Sequence, residues 1–136
     1  MKRYLGIKEV EAKPCTLDEF ITITGVDPYK GRDSINHTPD DEGYMVKYSD
    51  NYVSWSPKDV FEASYYPVDS VIDRMEVEYN ELQARVDKLD RYINSSKAFN
   101  ELDIEDRLLL AQQHAAMVTY RSILGIRIES YRAKNR

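Results

Sequence analysis

The stretch IDRMEVEYNELQARVDKLDRYI, residues 72–93, decides the architecture. Ile72, Met75, Tyr79, Leu82, Val86, Leu89 and Ile93 recur there at intervals of 3, 4, 3, 4, 3 and 4 residues. That alternation predicts a helix with a coiled-coil-like seam held over three heptads. At about 100° per residue the seven positions fill an arc of only about 100°, a narrow stripe suited to one partner groove. Asp69 or Ser70 is placed to cap its start, and Asn94-Ser95-Ser96 to break it. The spacing therefore predicts a helix over 70–94.

A second helix is predicted over 103–132, with Asp103 as its cap and an acidic first turn that suits the helix dipole. At about 1.5 Å per residue the two helices are roughly 37 to 45 Å long, and their short connection makes them an antiparallel hairpin. The second helix is apolar over a wider arc. Leu108, Leu109, Leu110, Ala115, Ala116, Met117, Tyr120, Ile123, Leu124, Ile126, Ile128 and Tyr131 cover about 200° of it. One antiparallel neighbour cannot bury such a face. The face must also touch the N-terminal unit or a second copy of the chain; both are expected, with a homo-oligomer, a dimer or larger, as the default.

Upstream of Val68 the pattern changes. Apolar stretches are short, four prolines punctuate them, and Pro67 marks the joint. Residues 1–68 read as a small α+β unit and 69–136 as the hairpin, so the fold class expected is α+β. Arg3 to Val10 reads as a strand. Thr16-Leu17-Asp18-Glu19 has capping-box spacing for a short helix that stops near Gly25. Asp27 to Gly43 is rich in turn formers and reads as a surface loop. Tyr44–Tyr48 and Tyr52–Trp55 flank Ser49-Asp50-Asn51 as a β-hairpin, and Ser56-Pro57-Lys58-Asp59 offers an N-cap with proline at the first helical position.

Composition bounds the function. With 136 residues, 19 basic and 24 acidic side chains and a net charge of −5, the chain is unsuited to general nucleic-acid binding. No apolar run reaches the roughly 20 residues of a membrane span, and Met1-Lys2-Arg3-Tyr4-Leu5 opens no signal-peptide h-region, so a cytoplasmic protein is expected. One cysteine and two histidines build neither an internal disulfide nor a typical zinc site. Neither cofactor nor metal is expected. His37 beside Asp40, Asp41 and Glu42 lacks the order of a calcium loop. Lys30-Gly31-Arg32 is no phosphate-binding loop. Cys15 carries no activating neighbour, and His114 reads as a boundary residue. An enzyme is not expected.

Three polar residues, Gln113, Tyr120 and Arg127, interrupt the wide apolar face at heptad spacing. A guanidinium in such a face must snorkel, meet a carboxylate or meet an anion. One reading is a ligand pocket in which Arg127 and Arg121 hold phosphates, Tyr120 orients the ligand, and Trp55 or Lys58 closes the site. The other is an interhelical or intersubunit salt bridge. The basic cluster Arg121, Arg127, Arg132, Lys134 and Arg136 serves either a phosphate or a helix end, and Asp69, Asp73, Glu76 and Glu78 lie where they could neutralise it. Tyrosine is abundant, 11 in all. Tyr44, Tyr48 and Tyr52 with Trp55 suit either a stacking surface or the core of a small sheet.

Two segments resemble known families. Tyr4-Leu5-Gly6 with Glu11-Ala12-Lys13-Pro14, then Asp41–Val46 and Tyr52-Val53-Ser54-Trp55-Ser56-Pro57-Lys58, resembles a module near the N-termini of small phage accessory proteins. Residues 75–131, notably Leu89–Phe99 and Gln113–Ile128, resemble a helical-hairpin family of phage proteins named after a crAss-like phage. The resemblance implies a phage protein made in the host bacterial cytoplasm. The architecture is also similar to phage sponges that sequester the nucleotide signals of Thoeris and CBASS defences. Their hairpin motif is absent here, so none of their binding residues is carried across. The expectation is a non-catalytic counter-defence protein that sequesters a small anionic nucleotide. The alternative is a phage-encoded inhibitor or adaptor of a host protein, and a third reading is a hydrolase using the acidic loop and a metal.

Overall fold

The computed structural model describes residues 1–31 and 37–136. Arg32 of the Lys30-Gly31-Arg32 segment, with part of the Asp27–Gly43 stretch, lies outside the described residues. The fold is α+β, divided into two compact units, Met1–Tyr65 and Tyr66–Arg136. Among the described residues, no helix is long and apolar enough to cross a membrane.

The first unit holds a three-stranded antiparallel sheet, β1 (Glu11–Pro14), β2 (Gly43–Lys47) and β3 (Val53–Pro57), in spatial order β1-β2-β3. Helix α1 (Leu17–Thr24) follows β1, and α2 (Lys58–Ser64) follows β3. The hairpin β2–β3 pairs Gly43 with Pro57 and Lys47 with Val53. Its turn closes with Asn51 at φ 69°, a left-handed position that asparagine tolerates. Thr16 caps α1 in the expected box with Glu19, and Gly25 ends it by donating its N–H to the Ile21 carbonyl.

Packed together are Cys15, Leu17, Phe20 and Trp55, with Met45, Val53, Ile21 and Tyr29 around them. The Trp55 indole N–H donates to the Cys15 carbonyl at 2.9 Å, which satisfies the one polar atom the ring brings inside. A side chain at Gly43 would place its Cβ 2.5 Å from Cζ2 of that ring. Only glycine fits where β2 passes under Trp55.

Two local expectations are corrected. The strand expected over Arg3–Val10 is instead Glu11–Pro14. Its pairing runs from Glu11 opposite Lys47 to Pro14 opposite Tyr44, and beyond Lys47 the chain turns at Tyr48. Residues before Glu11 consequently have no β2 backbone left to pair with. Ser56 does not cap α2, because it sits opposite Tyr44 in the ladder. The helix starts one step later, from Pro57, with no side-chain cap bond.

The second unit contains α3 (Val71–Ser95), a five-residue α4 (Lys97–Glu101) and α5 (Ile104–Lys134). Ser70 and Asp73 form a capping box on α3, while the Asp103 carboxylate accepts from the Asp106 N–H to start α5. The break expected at Asn94-Ser95-Ser96 is real but double. Ser96 ends α3 and also caps α4, accepting from the Ala98 N–H. A serine between two helical runs can serve both ends, which the sequence reading missed.

Helices α3 and α5 run antiparallel, since contacts that rise along one fall along the other: Glu76 meets Arg132, Gln83 meets Arg121, and Asp90 meets His114. Met75, Leu124 and Ile128 form the buried centre, flanked by Ile72, Tyr79 and Tyr131. Leu82 and Val86 are buried further along α3.

Candidate ligand groove on the helical hairpin

Two heptad rows run along α5, one residue apart. Leu110, His114, Met117, Arg121, Leu124, Ile128 and Tyr131 form the row turned toward α3, each buried or half-buried. Leu109, Gln113, Ala116, Tyr120, Ile123, Arg127 and Ser130 form the other, and every one of them is exposed. Bulk decides between them. The inner row offers long apolar side chains to Met75, Leu82 and Val86, whereas the outer row holds only alanine at its middle d-type position.

Polar rungs join α5 to α3, two of them from the inner row. His114 Nε2 lies 3.3 Å from Asp90 Oδ1 without the geometry of a hydrogen bond. One Arg121 Nη donates to Gln83 Oε1 at 3.2 Å. Arg132 is held by Glu76 on α3 and, at 3.1 Å, by Glu129 one turn back on α5. Those two carboxylates raise the Arg132 pKa, the Glu76 hydrogen bond first. Of the four acidic residues expected to neutralise this end, Glu76 does so.

Beside the rungs an open groove of about 1010 Å³ runs along the hairpin. Tyr79 and Asn80 line it from α3, and Arg121, Ser122, Gly125 and Arg132 from α5. Gly125 shapes the middle. Glycine costs about 1 kcal/mol against alanine inside a helix, and here it lies where a Cβ would stand 3.4 Å from the Tyr79 ring. The groove's two cations differ in kind. Arg132 is already matched by carboxylates, whereas Arg121 has a neutral partner, and among the described residues no ion pair engages it. A half-buried guanidinium with an aromatic face close by is suited to an anion carrying a planar group.

Of the residues singled out in the sequence, Arg121 lines this groove. Gln113, Tyr120 and Arg127 lie together on the exposed outer row, and Arg127 is about 160° around α5 from Gly125 at 100° per residue. Trp55 and Lys58 belong to the sheet unit. Trp55 is core, only 7% exposed, and Lys58 reaches Glu42 at 3.3 Å, the hydrogen bond that first raises its pKa. Sequence reasoning missed Tyr79, Asn80 and Gly125. The signal was present in the lone glycine of a 31-residue helix and in an aromatic within an otherwise largely aliphatic seam.

Elsewhere, the tyrosines are mostly tied to neighbours. Tyr44 stacks on Phe61 with centroids 4.2 Å apart and donates to Glu62 at 2.8 Å. Tyr48 stacks with Tyr52. Cys15 is buried, and burial chiefly raises its thiol pKa. His37 pairs with Asp41 at 3.5 Å. Among the described residues no three metal-ligating side chains gather.

The chain is thus a long antiparallel helical hairpin with polar rungs and a lateral groove, preceded in sequence by a small sheet unit. A family model named Sequestin matches residues 69–130. The match covers α3, α4 and α5 as far as Ser130, so Arg132 at the end of the groove and the whole sheet unit lie outside it. Neither a curated protein nor a solved structure matches the chain.

Proposed function

We propose that the protein is a non-catalytic binder that holds a small anionic ligand in the α3–α5 groove and so removes it from solution. The observation that carries this reading is Arg121, half-buried beside Tyr79 and Gly125 and, among the described residues, paired with a neutral amide and no carboxylate. The Sequestin name of the family model that matches the hairpin supports a sequestering role. The groove lining offers arginines, hydroxyls and an amide, and its two carboxylates, Glu76 and Glu129, both hold Arg132. Binding is better served by that set than bond breaking.

The finer reading is a nucleotide-type immune signal, sequestered by a phage counter-defence protein in the host bacterial cytoplasm. It is supported by the resemblance of both segments to small phage proteins. Arg121 takes a phosphate in this reading, and Tyr79 and the Gly125 backbone give the base or ribose a flat wall.

Thermal unfolding across a panel of cyclic dinucleotides, cyclic oligonucleotides and ADP-ribose-derived signals tests the reading. A ligand binding only the native state at 100 times its Kd stabilises by about 2.7 kcal/mol. The expected result is a clear rise in Tm, release of the same ligand intact after heating, and loss of the rise in Arg121→Ala. An altered ligand would mean an enzyme. No rise across the panel would overturn the nucleotide reading.

A further inference from the structure

The outer row of α5 is a surface with a definite electrical polarity. Leu109 and Ile123 are 56% and 54% exposed, and Tyr120 is 44% exposed. Leu109, Ala116 and Ile123 repeat every seven residues, the spacing of a coiled-coil seam. The helix carries Glu105 and Asp106 in its first turn and Arg132 and Lys134 in its last, with Arg127 on the outer row itself.

The geometry points to a second copy of this chain as the occupant of that row, with the two α5 helices antiparallel about a two-fold axis beside Ala116. Charge complementarity selects the orientation. Antiparallel pairing lays the acidic start of one helix over the basic end of the other and opposes the two helix dipoles. A parallel, in-register pair would stack Arg127 on the partner's Arg127. The sequence offers the matching symmetry: Leu109 and Ile123 both lie seven residues from Ala116, and Glu105 and Arg127 both lie eleven from it. Leu109 thus meets the partner's Ile123, and Arg127 reaches the partner's Glu105, with each contact made twice. Alanine at the centre lets the backbones approach closely. Arg127 gains the carboxylate that a guanidinium in an apolar row requires.

The interface uses the side of α5 away from the groove, so it stands or falls separately from the ligand reading. Sedimentation equilibrium of the full chain tests it. The expected species has twice the 15.9 kDa chain mass. Arg127→Glu or Glu105→Arg should each raise the dimer dissociation constant at least about tenfold, because one substitution breaks both symmetric pairs. Combining them should restore the dimer. A monomer at every concentration, or a double variant no better than the singles, would overturn the proposal. Orientation is read by oxidising a mixture of Leu109→Cys and Ile123→Cys chains, since Cys15 is only 5% exposed. A cross-link between unlike chains is expected; a dominant cross-link between two Leu109→Cys chains would overturn the antiparallel arrangement.

Discussion

Tyr79 lies against the backbone of α5 at Gly125, close enough that a Cβ there would stand 3.4 Å from its ring. The glycine is a local cost to the helix that keeps the groove floor open. Gly125→Ala should stabilise the hairpin by up to about 1 kcal/mol through helix propensity. Gly125→Leu should keep the helix content while filling the groove. Circular dichroism and the ligand-dependent Tm separate the effects. A leucine variant that still binds the ligand would move the site elsewhere.

Leu124 and Ile123 are neighbours in sequence on opposite sides of the packing decision, at 0% and 54% exposure. Leu124→Ala should cost about 3 kcal/mol or more, as for other fully buried leucines. Ile123→Ala should change chain stability by well under half of that and act on self-association instead. Urea titrations at low protein concentration check the pair. Equal losses would mean that the inner and outer rows are assigned incorrectly.

The sheet unit has its own sensitive point. Gly43→Ala drives a methyl into the Trp55 ring and the Ser56 carbonyl, and should destabilise that unit by about 2 to 3 kcal/mol. Trp55 fluorescence reports it directly. Retention of a native emission maximum and an unchanged midpoint would show that the strands separate at little cost.

Acid should act on the same unit through Asp41. Its pKa is lowered, first by the Thr38 backbone N–H, then by the Thr38 hydroxyl, with His37 adding a smaller attraction. A carboxylate whose folded pKa lies below its unfolded value contributes stability that is present above the unfolded value. That contribution is lost as pH falls through the folded one. The Trp55-monitored stability should therefore fall on acidification below the ordinary carboxylate range. Asp41→Asn should flatten part of that fall; an unchanged profile would assign it to other acids.

The hairpin was legible because its signals are local. The side chains of Ser70, Asp73 and Asp103 specify the helix caps through partners three residues away, and the 72–93 seam needs only one partner. What stayed hidden depends on partners remote in sequence. Whether Arg3–Val10 pairs is set by where β2 runs out at Lys47. Whether Trp55 is core or surface is set by the Cys15 carbonyl, 40 residues away. On α5 both heptad rows fit the same periodicity, so the pattern could nominate Arg127 as readily as Arg121. Only the facing side chains of α3 choose between them.

That choice makes the inside and outside of α5 a matter of volume more than polarity. Both rows interleave apolar with polar positions, each carries an arginine, and they differ by one step along the chain. Exchanging Ala116 and Met117, the pair at which the two rows differ most in apolar bulk, would invite the helix to roll. Arg121 would then turn toward solvent and Arg127 toward α3, leaving the groove without its unmatched cation. A few methylene groups therefore decide which charge the hairpin offers to a ligand.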